Sequence, residues 1–140
     1  MKKEQRLSVL AKESDIIQGI IKRKASESFL VKGWTVSLIV ATLIFQGEQS
    51  QVLVAFIPLI SFWFLDATYQ QQIKMYKLLY KWNIANRLDT DDFLFDINVN
   101  DRFKKGVPSR VALMFSDKLI WFYAAMIVLT VAYLAFSFYK

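Results

Sequence analysis

Between Leu119 and Tyr139 the chain runs for 21 residues without a charged side chain. At about 1.5 Å per helical residue this stretch covers roughly 31 Å, the hydrocarbon thickness of a bilayer. Trp121, Phe122 and Tyr123 stand at one end, and Phe136, Phe138 and Tyr139 at the other. Amphipathic rings favour those headgroup levels, and only a helix satisfies its own backbone in lipid. The pattern predicts a membrane-crossing helix over 117–139. Two shorter apolar blocks precede it, with strictly apolar cores at Trp34–Phe45 and Val52–Leu65, separated by the polar link Gln46–Gln51. At about 18 to 21 Å each they fall short of a full crossing. They form either a re-entrant pair or, when flanking residues are included, two full spans over 29–46 and 52–69. The charge pattern favours the second arrangement.

Ahead of the first block, Leu7, Leu10, Ser14, Ile17 and Ile21 follow a 3-4 spacing, which predicts an amphipathic helix over 1–28 with a coiled-coil-like seam. No proline interrupts residues 1–45, so this helix can continue into the first span. After Asp66 the pattern becomes amphipathic again. Tyr69, Ile73, Tyr76 and Tyr80 mark one stripe, and Lys74, Lys77 and Lys81 mark another, which predicts a second cytoplasmic helix over 70–88. Helical periodicity is then lost over 89–116, where alternation of Phe93, Phe95, Ile97 and Val99 with polar neighbours predicts a short extended segment. Ser116 or Asp117 is placed to cap the last helix.

Charge fixes the expected orientation. Eight of the 18 Lys and Arg residues lie in 1–33 and another eight in 67–112, while the 46–51 link has none. By the positive-inside rule the N-terminus and central segment are cytoplasmic, and the link and C-terminus lie outside. The expected fold class is therefore all-α and integral to the membrane, with three transmembrane helices over one cytoplasmic helical bundle. The basic residues that flank the apolar blocks have a role at anionic headgroups, which disfavours nucleic acid as a partner. Glu4, Glu13 and Asp15 interrupt the basic N-terminus before any apolar block, which is unlike a signal peptide.

Candidate chemistry is sparse. The chain has no cysteine or histidine, its four glycines are scattered, and it has no clustered carboxylate dyad. No catalytic site, cofactor site or metal site is expected. Asp96, Asn98 and Asn100 space oxygens like the start of a calcium loop, but Asp101 and Val107 occupy the positions of its glycine and glutamate. The sharpest constellation is Lys32 with Asp66. Lys32 lies 13 residues before Phe45 and Asp66 lies 14 after Val52, so an antiparallel hairpin brings them to one depth. A charge there is costly unless paired or hydrated. Gly33 and Trp34 are expected to allow close helix approach at that level, and Pro58 to kink the second span. Lys74, Lys77 and Lys81 are expected to contact lipid headgroups or a partner. The seam residues Leu7, Leu10, Ile17 and Ile21 are expected to drive homo-oligomer formation.

The runs Ile16–Ile21 and Ser28–Trp34, followed by Phe62-Trp63-Phe64-Leu65-Asp66-Ala67 and the tyrosines Tyr76 and Tyr80, resemble a largely uncharacterised family of small bacterial inner-membrane proteins. The resemblance covers about residues 15–82. In architecture the chain is also similar to the two-span effectors of nucleotide-activated antiphage systems, the SLATT class. It differs from them in its third apolar block and its short cytoplasmic portion. The resemblance implies a bacterial inner-membrane protein that assembles and breaches the membrane when a partner detects infection. On this reading the chain is a non-enzymatic, oligomeric, membrane-permeabilising effector or its accessory. The alternative is a membrane anchor that recruits a cytoplasmic partner enzyme through its 69–87 helix.

Overall fold

The computed structural model describes residues 2–45 and 53–139. The polar link that precedes the second apolar block lies outside these residues. The described chain is all-α. Helix α1 (Lys3–Ile44) and helix α2 (Phe56–Asn86) are followed by the short α3 (Asn100–Phe103), a 3-10 turn at Lys104–Gly106, α4 (Arg110–Met114) and α5 (Asp117–Phe138). The amphipathic helix and the first apolar block are one uninterrupted α1, as a run without proline allows.

Two helices among the described residues are long and apolar enough to cross a membrane, α1 and α5. The expected third crossing over 52–69 is corrected by α2. From Phe56 this helix meets the buried Asp66 after ten residues. Ten residues are about 15 Å, half the hydrocarbon thickness, and Gln70, Gln71, Gln72 and Lys74 occupy the stretch four to eight residues beyond Asp66.

The chain divides into two compact units, and α1 and α2 contribute to both. One unit comprises Met1–Ser26 and Tyr69–Pro108. Its core is Ile17, Met75, Leu79 and Val99, flanked by Ile21, Tyr76, Tyr80, Phe103 and Val107. The expected extended segment is absent here. Residues 92–95 form a turn in which Phe93 and Phe95 adopt left-handed backbone, at φ 56° and 52°. Asp96 and Asn98 then accept from the amides two residues ahead, at 3.0 and 3.2 Å. These local bonds compete with strand pairing, and the period-two pattern comes from a turn.

The other unit comprises Glu27–Thr68 and Ser109–Lys140. Its core is Ile39, Leu59, Trp63, Ala67, Leu113, Leu119, Tyr123 and Met126. Thr35, Thr42 and Thr130 each donate to the carbonyl four residues earlier at 2.8 Å, so the apolar helices satisfy their own hydroxyls. Large apolar side chains nevertheless cover its outside, among them Phe29, Trp34, Val40, Trp121, Val128 and Leu129. A water-exposed domain rarely shows so continuous an apolar surface, and lipid accommodates one. Ser116 occupies the N-cap position of α5, but its hydroxyl donates back to the Leu113 carbonyl at 2.7 Å. The side-chain cap belongs instead to Ser109, which accepts from the Ala112 amide at the start of α4.

Candidate functional site

Within the apolar unit, polar groups converge on one carboxylate. Asp66 is completely buried and accepts from the Ser28 hydroxyl, from Lys32 Nζ at 2.6 Å and from the Tyr123 hydroxyl at 2.9 Å. Lys32 also donates to Ser28 Oγ at 3.1 Å. The reason lies in helix spacing. Ser28, Val31, Thr35 and Ile39 recur every three or four residues and are all buried, and Lys32 borders that face with its side chain 24% exposed. Charge-assisted hydrogen bonds replace the hydration that the carboxylate has lost. Trp63 closes the cluster from α2. Its ring stacks on Tyr123 at 5.7 Å, and its Nε1 donates to the Met114 carbonyl at 2.8 Å.

These contacts set helix directions inside the unit. Only seven residues separate Phe45 from Leu53, so the Lys32–Asp66 contact requires α1 and α2 to run antiparallel. Tyr123 joins the cluster at the level of Lys32, and Tyr133 donates to the Leu43 carbonyl at 3.2 Å. Both helices advance by about three turns between those two levels, so α1 and α5 run parallel.

Other expected site residues fall elsewhere. Gly33 has open space where a Cβ would point, and Trp34 is 61% exposed. They do not mediate close helix approach, because both lie off the 28–31–35–39 face. Pro58 lies in the first turn of α2, behind a turn at Ala55 that follows helical backbone at 53–54. It opens a helix there rather than kinking one at mid-length, a position where its missing N–H is tolerated. Tyr123 faces the core rather than a headgroup belt.

In the other unit the seam turns inward. Ile17 is a core residue and the half-buried Ile21 packs against the same cluster, so these two seam positions serve packing within the chain. Leu10 is half-buried and Leu7 is exposed. Lys77 and Lys81 are exposed, Lys74 is half-buried, and all three border an open hollow with Leu78, Gly106, Val107 and Pro108.

The same unit holds a buried ion pair that the sequence reading missed. Arg87 donates from Nε to Glu13 Oε2 at 3.1 Å, and both side chains are nearly inaccessible. Its other nitrogens donate to the carbonyls of Thr90, Asp92 and Phe93. Glu13 Oε1 accepts from the Phe95 amide at 3.1 Å. The pair therefore anchors the turn that carries the two left-handed phenylalanines, and that backbone persists because its surroundings over-determine it. Arg102 lies over the rings of Phe93, Trp82 and Phe103 at 3.8, 4.6 and 5.0 Å. Burial pushes its guanidinium below the usual range, Asp96 and Glu13 oppose that shift, and the neighbouring Arg87 adds to it.

Among the described residues no group of three or more His, Cys, Asp or Glu side chains could hold a metal ion. No protein-family model, characterised protein or solved structure matches this chain.

Proposed function

We propose that this chain is a non-enzymatic protein of the bacterial inner membrane that acts as a membrane-permeabilising effector, or as its accessory, in antiphage defence. The observation that carries the reading is the contrast inside the apolar unit. An outer surface of large apolar side chains surrounds a buried cluster of Ser28, Lys32, Asp66 and Tyr123. A soluble protein gains nothing from that outer surface. Intramembrane ionisable groups face the interior of a bundle and mark functional positions.

In this reading α1 and α5 lie in the bilayer with their N-terminal ends towards the cytoplasm, and the apolar start of α2 returns beside them. Parallel α1 and α5 then leave the C-terminus on the periplasmic side. Among the described residues a single copy has no polar lining for a water-filled path, so permeabilisation requires self-assembly. The contacts for it lie on the lipid-facing surface, since Ile17 and Ile21 serve packing within the chain.

The test is expression of the full chain in a bacterial host with and without phage challenge, following membrane potential and viability. Depolarisation that tracks challenge supports the reading, and an unchanged potential under every condition overturns it. Native mass in detergent gives a second measure, because a strict monomer ends the assembly model.

A second reading, an anchor that recruits a cytoplasmic enzyme through α2, draws on the exposure of Lys77 and Lys81. Stoichiometric co-purification of a soluble protein, without conductance in reconstituted bilayers, would favour it.

A further inference from the structure

We infer that the hollow between Lys74, Lys77, Lys81 and the 106–108 segment is a binding site for a phosphorylated ligand carrying at least two negative charges. The inference goes beyond both functional readings and depends on neither. Three lysines at spacings of three and four share one face of α2. Like charges so placed disfavour an isolated helix, and among the described residues no carboxylate forms a salt bridge with any of them. A polyanion is the counter-charge this arrangement lacks.

The opposite wall is fixed. Val107 packs on the Ile17–Met75–Leu79–Val99 core, and the Pro108 carbonyl accepts from Gln71 Nε2 at 3.3 Å. The chain places Gly106 in the lining of this open hollow of roughly 250 Å³, and a Cβ there would meet Leu78 Cδ1 at 3.3 Å. Leu78, Val107 and Pro108 line that hollow together with the three lysines. This mixed lining suits an organic phosphate, with its charged groups on the ammoniums and its apolar part against Leu78, Val107 and Pro108. Compact ammoniums act as point charges for phosphate. Phospholipid headgroups and soluble phosphate compounds share that chemistry, and the experiment separates them.

The full chain is reconstituted in zwitterionic phosphatidylcholine nanodiscs and titrated with radiolabelled pyrophosphate in equilibrium dialysis. In parallel, native mass spectrometry measures how much phosphatidylglycerol the detergent-solubilised protein retains from a mixed bilayer. Replacing Lys74, Lys77 and Lys81 together by alanine is expected to weaken binding by roughly tenfold or more. Replacing the exposed Lys2, Lys3 and Lys12 by alanine removes the same charge elsewhere and is expected to leave binding unchanged. Gly106→Val keeps every lysine but adds a branched side chain to the hollow's lining beside Leu78, and is expected to weaken binding while circular dichroism stays native. Pyrophosphate binding with this pattern assigns the site to a soluble ligand. Phosphatidylglycerol retention with this pattern, and no pyrophosphate binding, assigns it to a headgroup. Absence of both, equal loss in the two triple variants, or unchanged binding in Gly106→Val overturns the inference.

Discussion

Arg87 and Glu13 stand 74 residues apart in the chain, yet Arg87 Nε lies 3.1 Å from Glu13 Oε2 with both side chains almost fully buried. Arg87 fans its remaining donors over three carbonyls of the 90–93 turn, so one guanidinium ties α1, the end of α2 and the following turn together. Breaking a buried pair from one side leaves an uncompensated charge and costs about 3–5 kcal/mol. Glu13→Ala is expected to lower stability by that amount in detergent denaturation. Arg87→Lys is expected to behave nearly as badly, because an ammonium cannot reproduce the planar fork. Limited proteolysis at 90–95 should rise in both variants, and a turn as resistant as in the wild type would show that the pair does not anchor it.

Lys32 and Asp66 differ in accessibility, which gives their variants a rank order. The Lys32 side chain is 24% exposed and can reach a headgroup by snorkelling, whereas that of Asp66 is completely buried. Lys32→Met therefore strands a buried carboxylate on the two hydroxyls of Ser28 and Tyr123, and is expected to cost about 3 kcal/mol or more. The double variant Lys32→Met/Asp66→Leu is expected to recover most of that loss. Tyr123→Phe removes one hydrogen bond to a charged group, worth about 1.5–3 kcal/mol. Steric-trap unfolding in bicelles would measure all three. A double variant weaker than Lys32→Met would refute this account of the pair.

Ile17 and Leu7 share the periodic stripe of α1 but differ in burial. Ile17→Ala opens a space against Met75 and Leu79 and is expected to destabilise by about 2–5 kcal/mol. Leu7→Ala at its exposed position is expected to stay within about 0.5 kcal/mol of the wild type. Neither should change the native mass. A fall in mass with Ile17→Ala, at unchanged thermal stability, would return this residue to an intermolecular seam.

Asn83 is buried, and neither its Oδ1 nor its Nδ2 has a hydrogen-bond partner among the described residues. A buried polar group without a partner costs about 1–3 kcal/mol. Asn83→Leu removes that penalty and improves helix propensity, so it is expected to raise the melting temperature by several degrees. A lowered melting temperature would mean that the amide contributes to stability through a bonded partner.

Much of the helical pattern was legible in the chain, and the misreadings have physical causes. Proline-free continuity from residue 1 to 45 already allowed α1 to run through. Counting outward from the polar link placed Lys32 and Asp66 at one depth, and the structure puts them 2.6 Å apart. Tyr123 fits a headgroup belt by sequence, because nothing local distinguishes a lipid-facing ring from one that turns inward to bond Asp66. Gly33 and Trp34 lie off the inner face, which the sequence does not mark because a helix apolar all round gives no periodic signal of it. Glu13 leaves a trace in the sequence. It sits three residues after Leu10 and four before Ile17, a charge on the apolar stripe, which calls for a buried partner. Its partner Arg87 could not be named from sequence, since it closes the end of a helix whose packing is tertiary. Phe93 and Phe95 misled because alternation over a few residues fits a turn as well as a strand.

Val128 and Leu129 face outward on α5 at 64% and 60% exposure, and they separate lipid from water most directly. If water surrounded this face, a lysine there would be neutral or helpful, as surface substitutions generally stay within about 0.5 kcal/mol. If lipid surrounds it, a charge near the centre of a crossing helix costs about 2.5–3.5 kcal/mol. Leu129→Lys is expected to reduce the carbonate-resistant membrane fraction sharply, and Val128→Lys to do the same. Ile84→Lys and Leu7→Lys, exposed apolar positions of the other unit, are expected to leave that fraction unchanged. The chain has no cysteine, so single-cysteine variants report sidedness without background. Cysteine at Glu27 and at Phe138 should label from opposite faces of the membrane, because within this unit α1 and α5 run parallel and place those ends apart. Labelling of both from one face, or a Leu129→Lys protein that remains fully membrane-bound, would remove the bilayer from around this unit.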